Sequence, residues 1–184
     1  MVKEDGFLRI FFLLYDPYKT HPWRRFWARW VDYSIWGFFL FSALVFFILN
    51  SGLVFPEYLD NRVFLSISIV TTWVIIEPFF IALWGSTPGK WMLGVKVLRI
   101  EGNKLSLSES VLRSIQVWLK GLAIGFPLFN LFAMARARTK LVNEGSTSWD
   151  TPKGNQVFIS KPSWLGIVML VLWLTFYIYM ATLR

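Results

Sequence analysis

Long apolar runs without a charged residue constrain this chain more than any other feature. Two runs, Tyr33 to Phe55 and Trp164 to Leu183, contain no Asp, Glu, Lys or Arg. A helix needs roughly 20 apolar residues to cross the hydrocarbon core of a bilayer. Charged residues make up only 16% of the chain, too few to keep that much apolar surface in water. The sequence therefore predicts an integral membrane protein rather than a soluble domain.

A third run, Val63 to Trp84, is long enough to cross but contains Glu77 followed by Pro78. A carboxylate at membrane depth is costly unless it is paired, so Glu77 indicates either a function or a structural ion pair. Arg113 and Lys120 are the candidate partners. The two interpretations are compatible, because a cation or proton pathway also requires a paired intramembrane acid.

A fourth region, Val111 to Ala135, carries three strongly polar residues in its first half and Gly125-Phe126-Pro127 near its middle. It could cross once or form a helical hairpin that turns at this tripeptide. Lys and Arg accumulate in cytoplasmic loops, and a single crossing would place the basic loop after it outside, so the hairpin is favoured. The basic residues before Tyr33 place the N-terminus in the cytoplasm by the same rule. The predicted fold is an all-α polytopic membrane protein with three full transmembrane helices plus a helical hairpin or fourth span.

Between the apolar runs, short alternating segments predict a small cytoplasmic β-hairpin or sheet. Val95 to Ile100 forms its first strand, a turn follows at 101–104, and Leu105 to Ser108 returns. Asn155 to Ser160 could add a third strand if residues 157–159 pair with residues 95–97. That pairing would bring Asp150 beside Arg25 and Lys90, whereas the alternative is a solvated Asp150 in a turn.

Charged residues cluster in the segment HPWRRFWARWVD, residues 21–32, directly before the first span. On a helix Arg25, Arg29 and Asp32 share roughly one face and could form an ion pair. Asp32 stands at the apolar edge, so we expect it to have an arginine partner. We expect Arg24 to anchor the helix at the headgroups. Lys90 is likewise expected to reach the headgroups from a tight turn at Thr87-Pro88-Gly89.

Composition excludes several classes of activity. The chain has no cysteine and one histidine, which leaves no thiol chemistry and no multi-histidine metal site. No catalytic constellation is recognisable, so we expect no enzyme, cofactor or metal. The net charge of +8 is spread over three loops beside the membrane. This pattern is typical of contact with anionic lipid headgroups and not of nucleic-acid binding.

Three segments of the chain resemble the RDD family of small bacterial and archaeal membrane proteins, named for an arginine and two aspartates. Residues 25–32 resemble the family's opening motif, and GSTPGKWMLGVKV at 85–97 looks like its central signature. WDTPKGNQV at 149–157 resembles the later motif without its usual histidine before, and Ala-Gly-Thr after, the aspartate. On this resemblance Arg25, Asp32 and Asp150 are the name-giving residues. The resemblance divides the chain into a basic, aromatic cytoplasmic or interfacial segment (1–32), an RDD-like membrane core (33–160) and an additional C-terminal span (161–184).

The resemblance implies a multi-pass protein of a prokaryotic inner membrane with a transport role, since some members are linked to cation/proton antiport. The leading hypothesis is that the chain handles a cation or proton. The carboxylates would be Glu77, Asp32 and Asp150, with counter-charges from Arg25, Arg29, Lys90 and Arg113. The alternative is a non-transporting accessory or scaffold subunit of a larger membrane complex. Three spans leave little room for a pathway, so we expect a homo-oligomer or a subunit of a complex.

Overall fold

The computed structural model describes residues 21–52, 61–121, 127–145, 147, 149–150 and 155–182. The N-terminal segment before residue 21 lies outside this range, and with it most of the predicted interfacial segment. Six α-helices and two strands are present in the described residues: α1 Pro22–Ser51, α2 Arg62–Trp84, α3 Pro88–Met92, β1 Val95–Arg99, α4 Leu107–Gln116, α5 Pro127–Glu144, β2 Asn155–Ile159 and α6 Trp164–Thr182.

Three helices, α1, α2 and α6, are long and apolar enough to cross a membrane. Helix α1 has 30 residues, or about 45 Å, and begins at Pro22, so the basic segment before the first apolar run is part of the same helix. Two tryptophan side chains bond α1 to its neighbours. Trp36 Nε1 donates to Thr72 Oγ1 of α2 at 2.8 Å, and Trp173 Nε1 of α6 donates to Ser34 Oγ at 2.8 Å. The coarse expectation of a multi-helix membrane protein is confirmed.

The fourth region contains two described helical parts that pack together. Helix α4 continues into a π-helical turn at Val117–Gly121, and α5 begins at Pro127. Ala137 packs against the buried cluster that contains Val117. Twenty residues of continuous helix would separate these two positions by about 30 Å. The two described parts of this region therefore do not belong to one straight helix, and residues 122–126 of the expected turn lie outside the described part.

Helix α4 is amphipathic in the sense opposite to a soluble helix. It buries Ser110, Arg113 and Ser114. Leu112 in the same helix and Leu119 in the π-helical turn that follows are about half exposed, at 49% and 50%. Apolar side chains that face outward fit a lipid environment. With 10 residues α4 is only about 15 Å long, too short to cross alone.

The sheet differs from the predicted hairpin in its second strand. β1 pairs antiparallel with β2, with Val95 opposite Ile159 and Val97 opposite Val157, which is the long-range pairing expected for residues 157–159. The segment Leu105 to Ser108 makes no strand, because Ser106 and Glu109 form a capping box that starts α4. Of the predicted hairpin, the described residues keep one isolated bridge, between Leu98 and Lys104.

Two glycines allow close approaches around α3. A Cβ added to Gly89 would lie 2.3 Å from the carbonyl oxygen of Ala28 in α1. Gly94 has φ +67°, and a Cβ there would lie 2.5 Å from the carbonyl oxygen of Ser160. The loop between α2 and β1 is therefore pressed against the first turns of α1 and the start of α6.

Candidate functional site

Asp32 caps a helix that lies far from it in sequence. Its side chain is buried, and it accepts hydrogen bonds from Gly89 N at 2.7 Å and from Thr87 Oγ1 at 2.5 Å. Thr87 is the N-cap residue of α3, but its hydroxyl is a donor to Asp32 and makes no cap bond of its own. The carboxylate thus satisfies a free backbone N–H at the positive end of α3. The prediction that Asp32 pairs with an arginine is wrong, because a hydroxyl and a backbone amide bind its carboxylate.

Glu77 is buried in α2 and pairs with Lys90 of α3, whose Nζ donates to its Oε1. Ser114 Oγ donates to Oε2 at 3.4 Å, and Arg113 Nη1 lies 3.9 Å from Oε1. Of the two expected partners, Arg113 is therefore a neighbour, whereas Lys120 is exposed. The expectation that Lys90 reaches the headgroups is also wrong, because this residue is only 5% exposed. Its burial lowers the pKa of Lys90, although the acids Glu77 and Asp32 act in the opposite direction.

Asp150 joins two arginines from different helices. Arg113 donates to its Oδ1 from Nη2 at 3.0 Å and from Nε at 3.2 Å, and Arg25 Nη1 donates to Oδ2 at 3.1 Å. Thr147 Oγ1 donates to Oδ2 at 2.6 Å. Burial acts to raise the pKa of Asp150, but Arg113 and Arg25 outweigh it, so the pKa lies below the usual value. The predicted contact of Asp150 with Arg25 is confirmed, whereas Lys90, the other predicted neighbour, pairs with Glu77; the solvated-turn alternative is wrong.

Arg24 fastens the start of α1 to two distant carbonyl groups and is not a headgroup anchor. Its Nη2 donates to Leu93 O and, at 2.8 Å, to Ser160 O. The side chain is 8% exposed, so the expectation for this residue is wrong. The bond to Ser160 joins residues 136 positions apart and holds the end of β2 against the first helix.

The contacts form a continuous chain of charges, which we call the ion network. It runs from Arg25 through Asp150, Arg113 and Glu77 to Lys90, with neighbouring charged groups no more than 3.9 Å apart. Asp32 joins it through the N-terminus of α3, which carries Lys90. The RDD family matches the chain over residues 19–141, more than half of its length. The chain belongs to the RDD family. No curated protein and no solved structure matches it.

The match to the RDD family includes Arg25 and Asp32 but ends before Asp150. The structure nevertheless places Asp150 on Arg25, so the third name-giving residue meets the first. Asp32 takes a separate position at the start of α3, next to Lys90. The three residues named on the resemblance therefore belong to one buried region but not to one ion pair.

Sequence reasoning about this RDD protein missed the neutral groups that complete the network. Thr87, Ser114 and Thr147 each donate a hydroxyl to one of the three carboxylates. A signal existed for Ser114, because Ser110, Arg113 and Ser114 repeat at the spacing of one helix face. Thr87 and Thr147 carry no comparable signal, since both lie outside helices and strands and their partners are 55 and 3 residues away.

A cavity of about 250 Å³ opens beside the ion network, between the start of α1, the π-helical turn and α5. Arg25, Arg29, Lys90 and Arg113 line it together with Arg138. Arg29, a predicted counter-charge, is partly buried and lies at this cavity rather than in the ion network. All four predicted counter-charges thus meet at one place.

Proposed function

We propose that this RDD protein has a transport role and moves protons through its buried carboxylates. The observation that carries the proposal is the buried Glu77–Lys90 pair at the end of the ion network. Ionisable groups at membrane depth are costly and are typical of proton or ion pathways.

The Glu77–Lys90 pair is the centre of the proposed chemistry. A proton that moves from Lys90 Nζ to Glu77 Oε1 converts two buried charges into a neutral amine and a neutral carboxylic acid. Burial favours the neutral forms, and it also lowers the pKa of Lys90. The transfer needs no movement of the backbone, because the two groups are already hydrogen-bonded.

Of the cation and the proton considered from the sequence, the proton fits the contacts better. A metal cation needs free carboxylate oxygens, whereas those of Asp32, Glu77 and Asp150 accept bonds from protein donors. The described wall of the adjoining cavity is basic and repels a cation. A proton needs only a group that can accept and release it, as Glu77 can beside Lys90.

Position in the membrane and assembly are part of the proposal. The basic segment at the start of α1 supports a cytoplasmic N-terminus and contact with anionic headgroups in a prokaryotic inner membrane. The three candidate spans enclose little space, so we propose a homo-oligomer or a subunit of a membrane complex. The accessory or scaffold role is the outcome that remains if the protein moves no protons.

The test is proton flux into liposomes that contain the purified full-length protein and a pH-sensitive dye. We expect the double variant Glu77→Gln with Lys90→Met to lose flux, because it removes the titrating pair and leaves no unpaired charge from it. The matched control is Glu101→Gln at an exposed turn position, which should retain flux. Equal flux from the double variant and the wild type would remove the pair from the mechanism. No flux from the wild type, together with a stoichiometric partner in mild detergent, would favour the scaffold role.

A further inference from the structure

The cavity beside the ion network has an unbalanced charge. Five cationic side chains line it: Arg25, Arg29, Lys90, Arg113 and Arg138. No carboxylate is among the described residues of its wall. Glu77 and Asp150 lie outside this wall and pair with three of its bases, Lys90, Arg25 and Arg113, whereas Asp32 accepts from Thr87 and Gly89. Counting the three acids against the four bases of the cluster, without Arg138, still leaves one positive charge in excess.

Several buried donors at this cavity have no acceptor. Arg25 Nε, Arg29 Nε and Arg113 Nη1 are buried and make no hydrogen bond in the described part of the chain. The side chain of Arg113 is 3% exposed, so bulk water does not readily satisfy it. Buried donors without partners cost free energy, and charged donors cost the most. The three arginines of the wall therefore have donor capacity that the described residues leave unused.

The remainder of the described wall is mainly apolar. Phe26 and Trp149 face the cavity together with Val95, Val97 and Leu141. Such a wall does not suit a fully hydrated inorganic ion, which would lose its hydration on this side. Small-molecule sites combine a mainly apolar lining with a few polar groups that fix orientation. The volume of about 250 Å³ fits a small molecule or one headgroup rather than a peptide.

We infer that this cavity binds an organic anion: a carboxylate or phosphate group held by Arg25, Arg29 and Arg113, on an apolar body that contacts Phe26 and Trp149. Guanidinium groups match both oxyanions in geometry and form charge-assisted hydrogen bonds to them. The anion could be a small solute or the headgroup region of an anionic lipid, since both offer the same chemistry. This inference goes beyond proton movement, because binding at equilibrium does not depend on flux.

The experiment measures binding to the full-length protein in an uncharged detergent by isothermal titration calorimetry. The probes are phenyl phosphate and benzoate, with benzyl alcohol as the neutral analogue. We expect both anions to bind at least tenfold more tightly than benzyl alcohol. Two variants test the wall. Arg29→Gln removes a donor whose Nε makes no hydrogen bond in the described residues, and Arg138→Gln changes a wall residue that is exposed, so we expect this variant to fold. Each should weaken phenyl phosphate binding, Arg29→Gln by about tenfold or more.

The matched control is Arg136→Gln, an exposed position on the same helix as Arg138 but outside the cavity wall, which should change the affinity by less than twofold. A second series in nanodiscs separates the two sources. Weaker phenyl phosphate binding in phosphatidylglycerol than in phosphatidylcholine would assign the site to a lipid headgroup, and equal binding would assign it to a solute. Anions that bind no more tightly than benzyl alcohol, or wall variants that bind like the control, would overturn the inference and leave the proton proposal untouched.

Discussion

The Glu77–Lys90 pair gives the sharpest prediction for stability. Both residues are buried, at 2% and 5% exposure, so each is the main compensation for the other's charge. Breaking a buried pair by removing one partner typically costs about 3–5 kcal/mol. We expect Glu77→Gln to lower the free energy of unfolding by about this amount, because Lys90 then stays buried without its acid. Lys90→Met should cost less, about 1–3 kcal/mol, since Arg113 and Ser114 still face Glu77.

The double variant should recover much of this loss. The glutamine and methionine side chains have volumes similar to those of the residues they replace, and no unpaired charge from the pair is left. We therefore expect a coupling free energy of about 2–3 kcal/mol. Reversible unfolding in mixed detergent and sodium dodecyl sulfate measures all four corners of this cycle. Lys96→Met, at an exposed position on β1, serves as the control for loss of a lysine. A coupling below about 0.5 kcal/mol would refute the view that the two charges depend on one another.

Three further predictions concern the groups around this pair. Asp32→Asn should lower the free energy of unfolding by about 1–3 kcal/mol in the same assay, because Thr87 and Gly89 donate to different carboxylate oxygens and an amide keeps only one of them as an acceptor. Gly89→Ala should lower the thermal midpoint of the detergent-solubilised protein by more than Asp32→Asn does, since the added Cβ would clash with the backbone of α1. A smaller decrease than that of Asp32→Asn would contradict the packing of this loop against α1. The stabilisation from Asp150 should be complete above its ordinary pKa of 3.8 and be lost as the pH falls through its lower pKa in the folded protein. Unfolding measured from about pH 6 to about pH 3 should therefore show a loss on acidification that Asp150→Asn lacks, and equal slopes would contradict the ion pairs.

The three spans were predictable from the sequence because hydrophobic length is a local property. Uncharged runs near 20 residues report directly on membrane crossing. The pairing of residues 95–97 with 157–159 was also predictable, since two short alternating segments have few other partners available. The predicted strand at Leu105 to Ser108 is wrong. The alternation of apolar and polar residues there indicated a strand, whereas the Ser106–Glu109 capping box, also visible in the sequence, indicates the start of a helix.

The partners of the charged residues were less predictable, because a buried charge requires a partner but does not specify which one. Asp32 was expected to take an arginine and instead takes a hydroxyl and a backbone amide, which only the fold of the loop at 87–89 supplies. Lys90 looked like a headgroup anchor because its neighbours in sequence form a turn. Its position is decided by Gly89, whose missing side chain lets α3 lie against α1 and directs Lys90 inward to Glu77.

The bond from Arg24 to Ser160 has a consequence for the order of synthesis. The two residues are 136 positions apart, and ribosomes add about 5–20 residues per second, so roughly 7–27 s pass between their appearance. During that interval Arg24 is already part of the chain, whereas the carbonyl group of Ser160, which accepts its hydrogen bond, has not been synthesised. Asp150, the acceptor for Arg25, also appears late. Until the segment after residue 144 has been synthesised, Arg24 and Arg25 of the first helix therefore lack the acceptors Ser160 and Asp150.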